Sequence, residues 1–144
     1  MTEIQAILGM SQLKRLEEFI NHRNKIANIY KKKLKSLVSK GLINFREYPD
    51  NIHNSYWKFL ININKELRRR EIKEKLEKFG IKIDWPYQPL IHLQPVFIKM
   101  YGTKEGQLAK SEEYAKHHIC LPTHLGIEGK DARYIAKKFL EVLS

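Results

Sequence analysis

MTEIQAILGMSQLKRLEEFINHRNKIANIYKKKLKSLVSKG, residues 1–41, sets the architecture. Its apolar side chains fall at Ile4, Ile7, Leu8, Leu16, Phe19, Ile20, Ile26, Ala27, Tyr30, Leu34, Leu37 and Val38. Those are steps of three and four residues, the period of one helical face. Thr2 offers an N-cap oxygen and Glu3 suits the positive end of the helix dipole. Gly41 is a natural stop. The spacing predicts one long helix over residues 2–40, with Gly9 a weak point. At 1.5 Å per residue such a helix is roughly 55–60 Å long. A compact chain of 144 residues has a radius of gyration of roughly 14–15 Å. The helix must therefore overhang, leaving Ile4, Ile7 and Leu8 without cover of their own, or bend near Gly9 or Ser11.

Shorter elements follow. An extended piece spans 42–48, closed by the turn residues Pro49, Asp50 and Asn51. A strand is expected over 56–63, with Trp57, Phe59, Ile61 and Ile63 on one face and Tyr56 and Leu60 on the other. Asn64 caps a helix running to Phe79, with Leu67, Ile72, Leu76 and Phe79 inward and Gly80 as its end. Residues 81–85 read as a third strand, and WPYQPLIHLQP (85–95) as an irregular aromatic loop. Pro95 suits the first position of a short helix to 101. A helix over 108–118, a strand over 119–121 and a final helix over 130–143 complete the order. The expected fold is α+β in one domain, 1–144: a long N-terminal helix and a small, mainly antiparallel sheet with helices on one face.

Composition narrows the function classes. Hydrophobic residues make up 42%, enough for a core and too many for a disordered chain. No apolar run approaches the roughly 20 residues of a membrane span, and the N-terminus does not read as a secretory signal. The lone cysteine, Cys120, forbids an internal disulfide and points to a reducing, cytoplasmic setting. The formal charge of +11 leaves two readings open: attraction to a polyanion, or a solvated lysine-rich surface. Basic clusters lie at 31–35 and 68–70, but no helix-turn-helix, zinc-finger or RNP pattern accompanies them, so nucleic acid is not the favoured partner. His117 and His118 lack metal-ligand spacing and are expected at the surface. His124 is expected to shape a turn, and Cys120 to pack as a small hydrophobe. No nucleophilic triad can be assembled. Lys14, Lys25, Lys31, Lys32, Lys33, Lys35, Lys73, Lys75, Lys137 and Lys138 fall on solvent-facing helical rows, and the scattered glycines make no phosphate cradle.

Four blocks of this sequence resemble one family. Met1, Glu3, Ile4, Gln5, Ala6, Gly9, Gln12, Leu13, Leu16, Arg23 and Tyr30 match the helix leading into the C-terminal domain of the DegT/DnrJ/EryC1/StrS aminotransferases. HNSYWKFLI (53–61) is similar to that family's His-Ser-Tyr/Trp strand, with His53 and Tyr56 open to a packing or a ligand role. GIKIDWPYQPLIHLQPVF (80–97) resembles its "PLHLQPVF" loop, and AKHHICLPTHLGI (115–127) its "LPLHPGL" segment. The blocks keep family order and spacing over essentially the whole chain. The third departs from the pattern at 85–87 and is one residue longer before His92.

The resemblance implies a fold-type I enzyme that uses pyridoxal phosphate (PLP) to move an amino group, usually from glutamate, onto a nucleotide-linked keto-sugar. Members are typically homodimers. In a full member a large α/β domain precedes the matched stretch and supplies the aldimine lysine, the acid paired with the pyridine nitrogen and most phosphate contacts. This chain is therefore expected to be a C-terminal part that helps form the substrate cleft. It is expected to carry no catalytic residue and no cofactor of its own. Carry-over places Tyr87, His92 and Gln94 on the substrate side, contacting sugar or phosphate; for His92, simple packing within the loop is the competing reading. Expected partners are the large PLP domain, a nucleotide-sugar, and a second copy through the N-terminal helix, with no membrane. The alternative is a non-enzymatic basic binding module or regulatory oligomer.

Overall fold

The computed structural model describes residues 1–49 and 51–144; the predicted turn residue Asp50 lies outside them. Where one long helix is expected, three segments follow each other: α1 (Glu3–Lys14), α2 (Leu16–Lys33) and α3 (Lys35–Ser39). The interruptions fall at Arg15 (φ −102°, ψ 2°) and Leu34 (φ −93°, ψ 8°), not at Gly9 or Ser11. Thr2 does cap the start. Its hydroxyl accepts from Gln5 N while the Gln5 side chain accepts from Thr2 N, a complete capping box. Gly41 does stop the run. At φ +67° it lets Gly41 N reach Val38 O and Leu42 N reach Leu37 O, satisfying carbonyls that the helix end would orphan.

The sheet has order β1-β2-β3, all antiparallel, from β1 (Ile43–Phe45), β2 (Phe59–Ile63) and β3 (His118–Leu121). Register places Ile43 against Ile63, Ile61 against Ile119 and Phe59 against Leu121. Because side chains alternate along a strand, those residues share one face. It is covered by Ile26, Ala27 and Tyr30 of α2, by Ile72 and Leu76 of α4 (Arg69–Glu77), and by Ala132, Ile135, Ala136 and Phe139 of α7 (Gly129–Leu143). Tyr30, Tyr56 and Phe45 ring Phe59 at centroid distances of 5.2–5.8 Å. The Tyr30 hydroxyl donates to Pro122 O at 2.8 Å, and burial pushes its pKa up. The α+β expectation, with helices on one face of an antiparallel sheet, is borne out.

Three local expectations need correction. Residues 81–85 do not form a strand. Ile81 and Ile83 are buried in alternation, but pairing is limited to one bridge between Asp84 and Cys120. Trp57 stands outside β2 and is 63% exposed, because the backbone turns at Tyr56 (φ +43°) before the ladder begins. The helix after β2 starts at Arg69, not Asn64; the Asn64 side chain instead accepts from Glu66 N and closes a separate turn. That helix does end at Gly80, whose φ of +73° allows Ile81 N to reach back to Leu76 O.

Candidate functional site

The aromatic loop at 85–95 is held by its neighbours from three directions. Arg69 on α4 lays its guanidinium over the Trp85 ring at 4.6 Å, donates to Ala115 O at 2.7 Å and donates to Gln88 Oε1 at 2.6 Å. Gln88 Nε2 donates to the same Ala115 carbonyl at 2.9 Å. His118 Nε2 donates to Pro86 O at 3.1 Å, and its ring stacks on Tyr114 at 5.8 Å. His118 is thus buried in β3, contrary to the surface position expected of it. Its partners come from the loop and from α6 (Ala109–His117), and local spacing does not reveal them.

The far end of the loop is a 3₁₀ turn, Ile91–Leu93, followed by α5 (Pro95–Tyr101) with Pro95 in its first turn. His92 is buried there. Its Nε2 lies 3.0 Å from Glu112 Oε1, and its carbonyl accepts from Thr103 at 2.6 Å. Glu112 also accepts from Gly106 N (3.0 and 2.9 Å) and Leu108 N (3.0 Å). The Gly106 amide, then the His92 ring, hold the Glu112 carboxyl below the usual carboxylate range. One buried carboxylate therefore ties the 3₁₀ turn, the 102–108 connection and the start of α6 together.

Of the three residues expected on the substrate side, Tyr87 has positive φ (+69°) and a largely exposed side chain. Gln94 is half-buried at the start of α5. His92 turns inward to Glu112. No group of His, Cys, Asp and Glu able to hold a metal ion occurs among the described residues. Cys120 is buried, and its thiol is pushed up to about 12 by desolvation and by Asp84, so it stays protonated.

A second concavity, about 640 Å³ in volume, lies elsewhere. It collects parts of all four sequence blocks: Arg23 from the first, Trp57 and Lys58 from the second, Lys82 and Asp84 from the third, and His124 from the fourth. Motif reading placed substrate contacts in the third block, left a ligand role open for His53 and Tyr56 in the second, and missed this convergence. The signal for it is that Arg23, Trp57 and His124 are polar or aromatic positions in three separate blocks. His124 itself accepts from Gly126 N at 3.2 Å, a turn-shaping bond.

Comparison with known proteins gives a consistent result. The model of the DegT/DnrJ/EryC1/StrS aminotransferase family matches residues 1–140. GDP-perosamine synthase of Escherichia coli O157:H7 is 29% identical over 144 residues, covering 100% of the chain and 37% of that protein. The dTDP-4-dehydro-2,3,6-trideoxy-D-glucose 4-aminotransferase of Saccharopolyspora spinosa is 28% identical over 95% of the chain and 33% of its own length. Among solved structures, the PLP form of Spr1654 from Streptococcus pneumoniae superposes with a TM-score of 0.83 at 23% identity, covering 99% of the chain and 36% of that protein. The chain thus spans about a third of the length of the relatives it matches.

Proposed function

This chain belongs to the DegT/DnrJ/EryC1/StrS aminotransferase family, and from that premise we propose that it is the small domain of a PLP-dependent nucleotide-sugar aminotransferase. In this reading it closes the substrate side of a cleft whose reactive lysine belongs to a large PLP-binding domain. The observation that carries the reading is coverage: the family match runs over nearly all of this chain and about a third of its relatives.

PLP, the cofactor of the family, supplies an electron sink when bound. The described residues do not fit such a site by themselves. A lysine that attacks a carbonyl must lose much of its hydration, and no lysine is buried among the described residues. Of the two lysines lining the 640 Å³ cleft, Lys82 is exposed, and Lys58 is paired with Asp84 at 3.5 Å and lies over the Trp57 ring at 5.2 Å. This supports a division of labour in which the amine comes from another part of the enzyme.

Within that division, Tyr87 and Gln94 contact the substrate, and His92 offers it the ring nitrogen not engaged by Glu112. Arg69 and Glu112 set the loop from behind. α1 is the docking helix: Ile4, Ile7, Leu8 and Leu13 are each at least 60% exposed and no α1 residue is buried. It takes up the large domain or a second copy. No described helix is long and apolar enough to cross a membrane. The test is complementation. Mixed with a PLP-loaded large domain of the same family, the chain is expected to enable glutamate-dependent amination of a keto-sugar nucleotide that neither half performs alone. Amination by this chain alone with added PLP, or none with its cognate large domain, would overturn the reading.

A further inference from the structure

The two edges of the three-stranded sheet are finished differently. At the β3 edge the outward-facing Cys120 N donates to Asp84 O at 2.7 Å, so that strand is met by residues from the next segment. At the β1 edge Asn64 N donates to Leu42 O at 2.9 Å. With the register, this makes 42/64 and 44/62 the hydrogen-bonded pairs and turns the Phe45 N–H and C=O away from β2. Arg46, Glu47 and Tyr48 follow with no backbone–backbone hydrogen bond among the described residues. Ile43 also turns its backbone groups outward, but at 3% exposure it is covered. The open edge is therefore 45–48. We propose that it binds an extended acidic peptide segment of another polypeptide, added to the sheet as a further strand, a role separate from the transaminase reading.

A hollow lies on each face of that edge, and residues 44–47 border both. The one on the helix side, about 480 Å³, is walled by Lys31, Lys35, Val38 and Tyr48. The other, about 430 Å³, is walled by Asn62 and Tyr114. Asn62 alternates with the buried Ile61 and Ile63, and Tyr114 stacks on His118, the register partner of Asn62, so this hollow belongs to the face away from the core. Side chains of an added strand alternate between the same two faces, and each hollow receives every second one.

Charge selects the occupant. Lys31, Lys35 and Arg46 face a single carboxylate, Glu47. Lys31 donates to the Tyr56 hydroxyl at 2.7 Å and keeps its charge. Two copies of this chain paired edge to edge would set these cations against each other, which is how lysines keep a free edge from self-association. The same cations attract an acidic strand. A nucleic acid meets the charge but not the backbone: phosphates only accept, whereas the Phe45 carbonyl needs a donor, and a peptide offers both.

The test follows single amides of the unaltered 144-residue chain by NMR during titration with acetyl-Ser-Glu-Val-Glu-Val-Glu-Ser-amide. Strand addition should shift the Phe45 and Glu47 amides saturably and slow their exchange roughly fivefold or more. The Asn44 amide, turned toward Asn62, should keep its exchange rate. A copy of the peptide methylated at every inner backbone nitrogen has the same charge but lacks strand donors, and should leave both amides unprotected. Oligothymidylate should not protect them either. Lys35→Glu should weaken the peptide roughly tenfold, whereas Lys14→Glu, on α1, should not; the measurements on the unaltered chain stand without either variant. The site is overturned by any of these results: no protection of Phe45 and Glu47 at saturation; equal protection by the methylated copy; equal losses in Lys35→Glu and Lys14→Glu, which is diffuse attraction to a basic surface; protection by oligothymidylate, which assigns the edge to nucleic acid; or protection that grows with chain concentration alone, which assigns it to a second copy.

Discussion

α7 and α1 are both three- to four-turn helices with regular caps, yet they are stabilised in opposite ways. α7 buries Ala132, Ile135, Ala136 and Phe139 against α2, α4 and the sheet. α1 buries nothing and turns Ile4, Ile7, Leu8 and Leu13 to solvent. Its N-cap and capping box organise the first turn, but a helix of 12 residues is marginal in water without a packed face. Local signals alone thus write α1, whereas α7 is written by packing. The 85–108 segment stands between the two: its fixed points are polar bonds from Arg69, His118 and Glu112, and α5 buries no residue at all.

That gradient can be broken experimentally. Phe139→Ala removes a fully buried ring from α7 and should cost about 3–5 kcal/mol, read as a drop in the urea midpoint. A cost below about 1 kcal/mol would mean that the α7 seam is not the core. Arg69→Ala takes away the cation over Trp85 and the donors to Ala115 O and Gln88, and should cost about 1–3 kcal/mol. Trp85 emission should shift toward that of a solvated indole. An unchanged spectrum would show that the loop is held by something else.

The Glu112 prediction concerns pH. Its carboxyl is held below its unfolded value by the Gly106 and Leu108 amides and His92. The linked stability is therefore fully present above the ordinary carboxylate pKa and is lost as pH falls through the lower, folded value. Amide protection at residues 91–117, taken relative to the intrinsic exchange rate at each pH, should fall once pH drops below the ordinary carboxylate pKa of about 4.3, and Glu112→Gln should make that region mobile at neutral pH and flatten its acid dependence. Equal pH dependence in both proteins would contradict the assignment. The smallest effect is expected in α1: Ile7→Ser should change the stability of the isolated chain by less than about 0.5 kcal/mol, while weakening its association with a large domain.

The sequence makes most of this gradient readable, and its failures have physical causes. Thr2, Gly41, Gly80 and Pro95 are legible because caps and stops act within four residues. The breaks at Arg15 and Leu34 carry no Gly or Pro to announce them. The 81–85 segment has strand alternation, but strand pairing needs a neighbour, and only Asp84 meets one. His118 reads as a surface histidine until Pro86 and Tyr114 are brought to it from other segments. His92 illustrates the same limit. Its place in the loop is visible in the "PLIHLQP" block, whereas Glu112, which fixes its ring, is 20 positions away in an ordinary amphipathic helix.

Amide hydrogen exchange over residues 3–14 probes the central contrast most directly. In dilute solution α1 should exchange far faster than α7, and addition of a PLP-loaded large domain of the family should slow α1 at least tenfold while leaving α7 unchanged. Protection of α1 equal to that of α7 in the chain alone, or no slowing when its cognate large domain is present, would contradict the account.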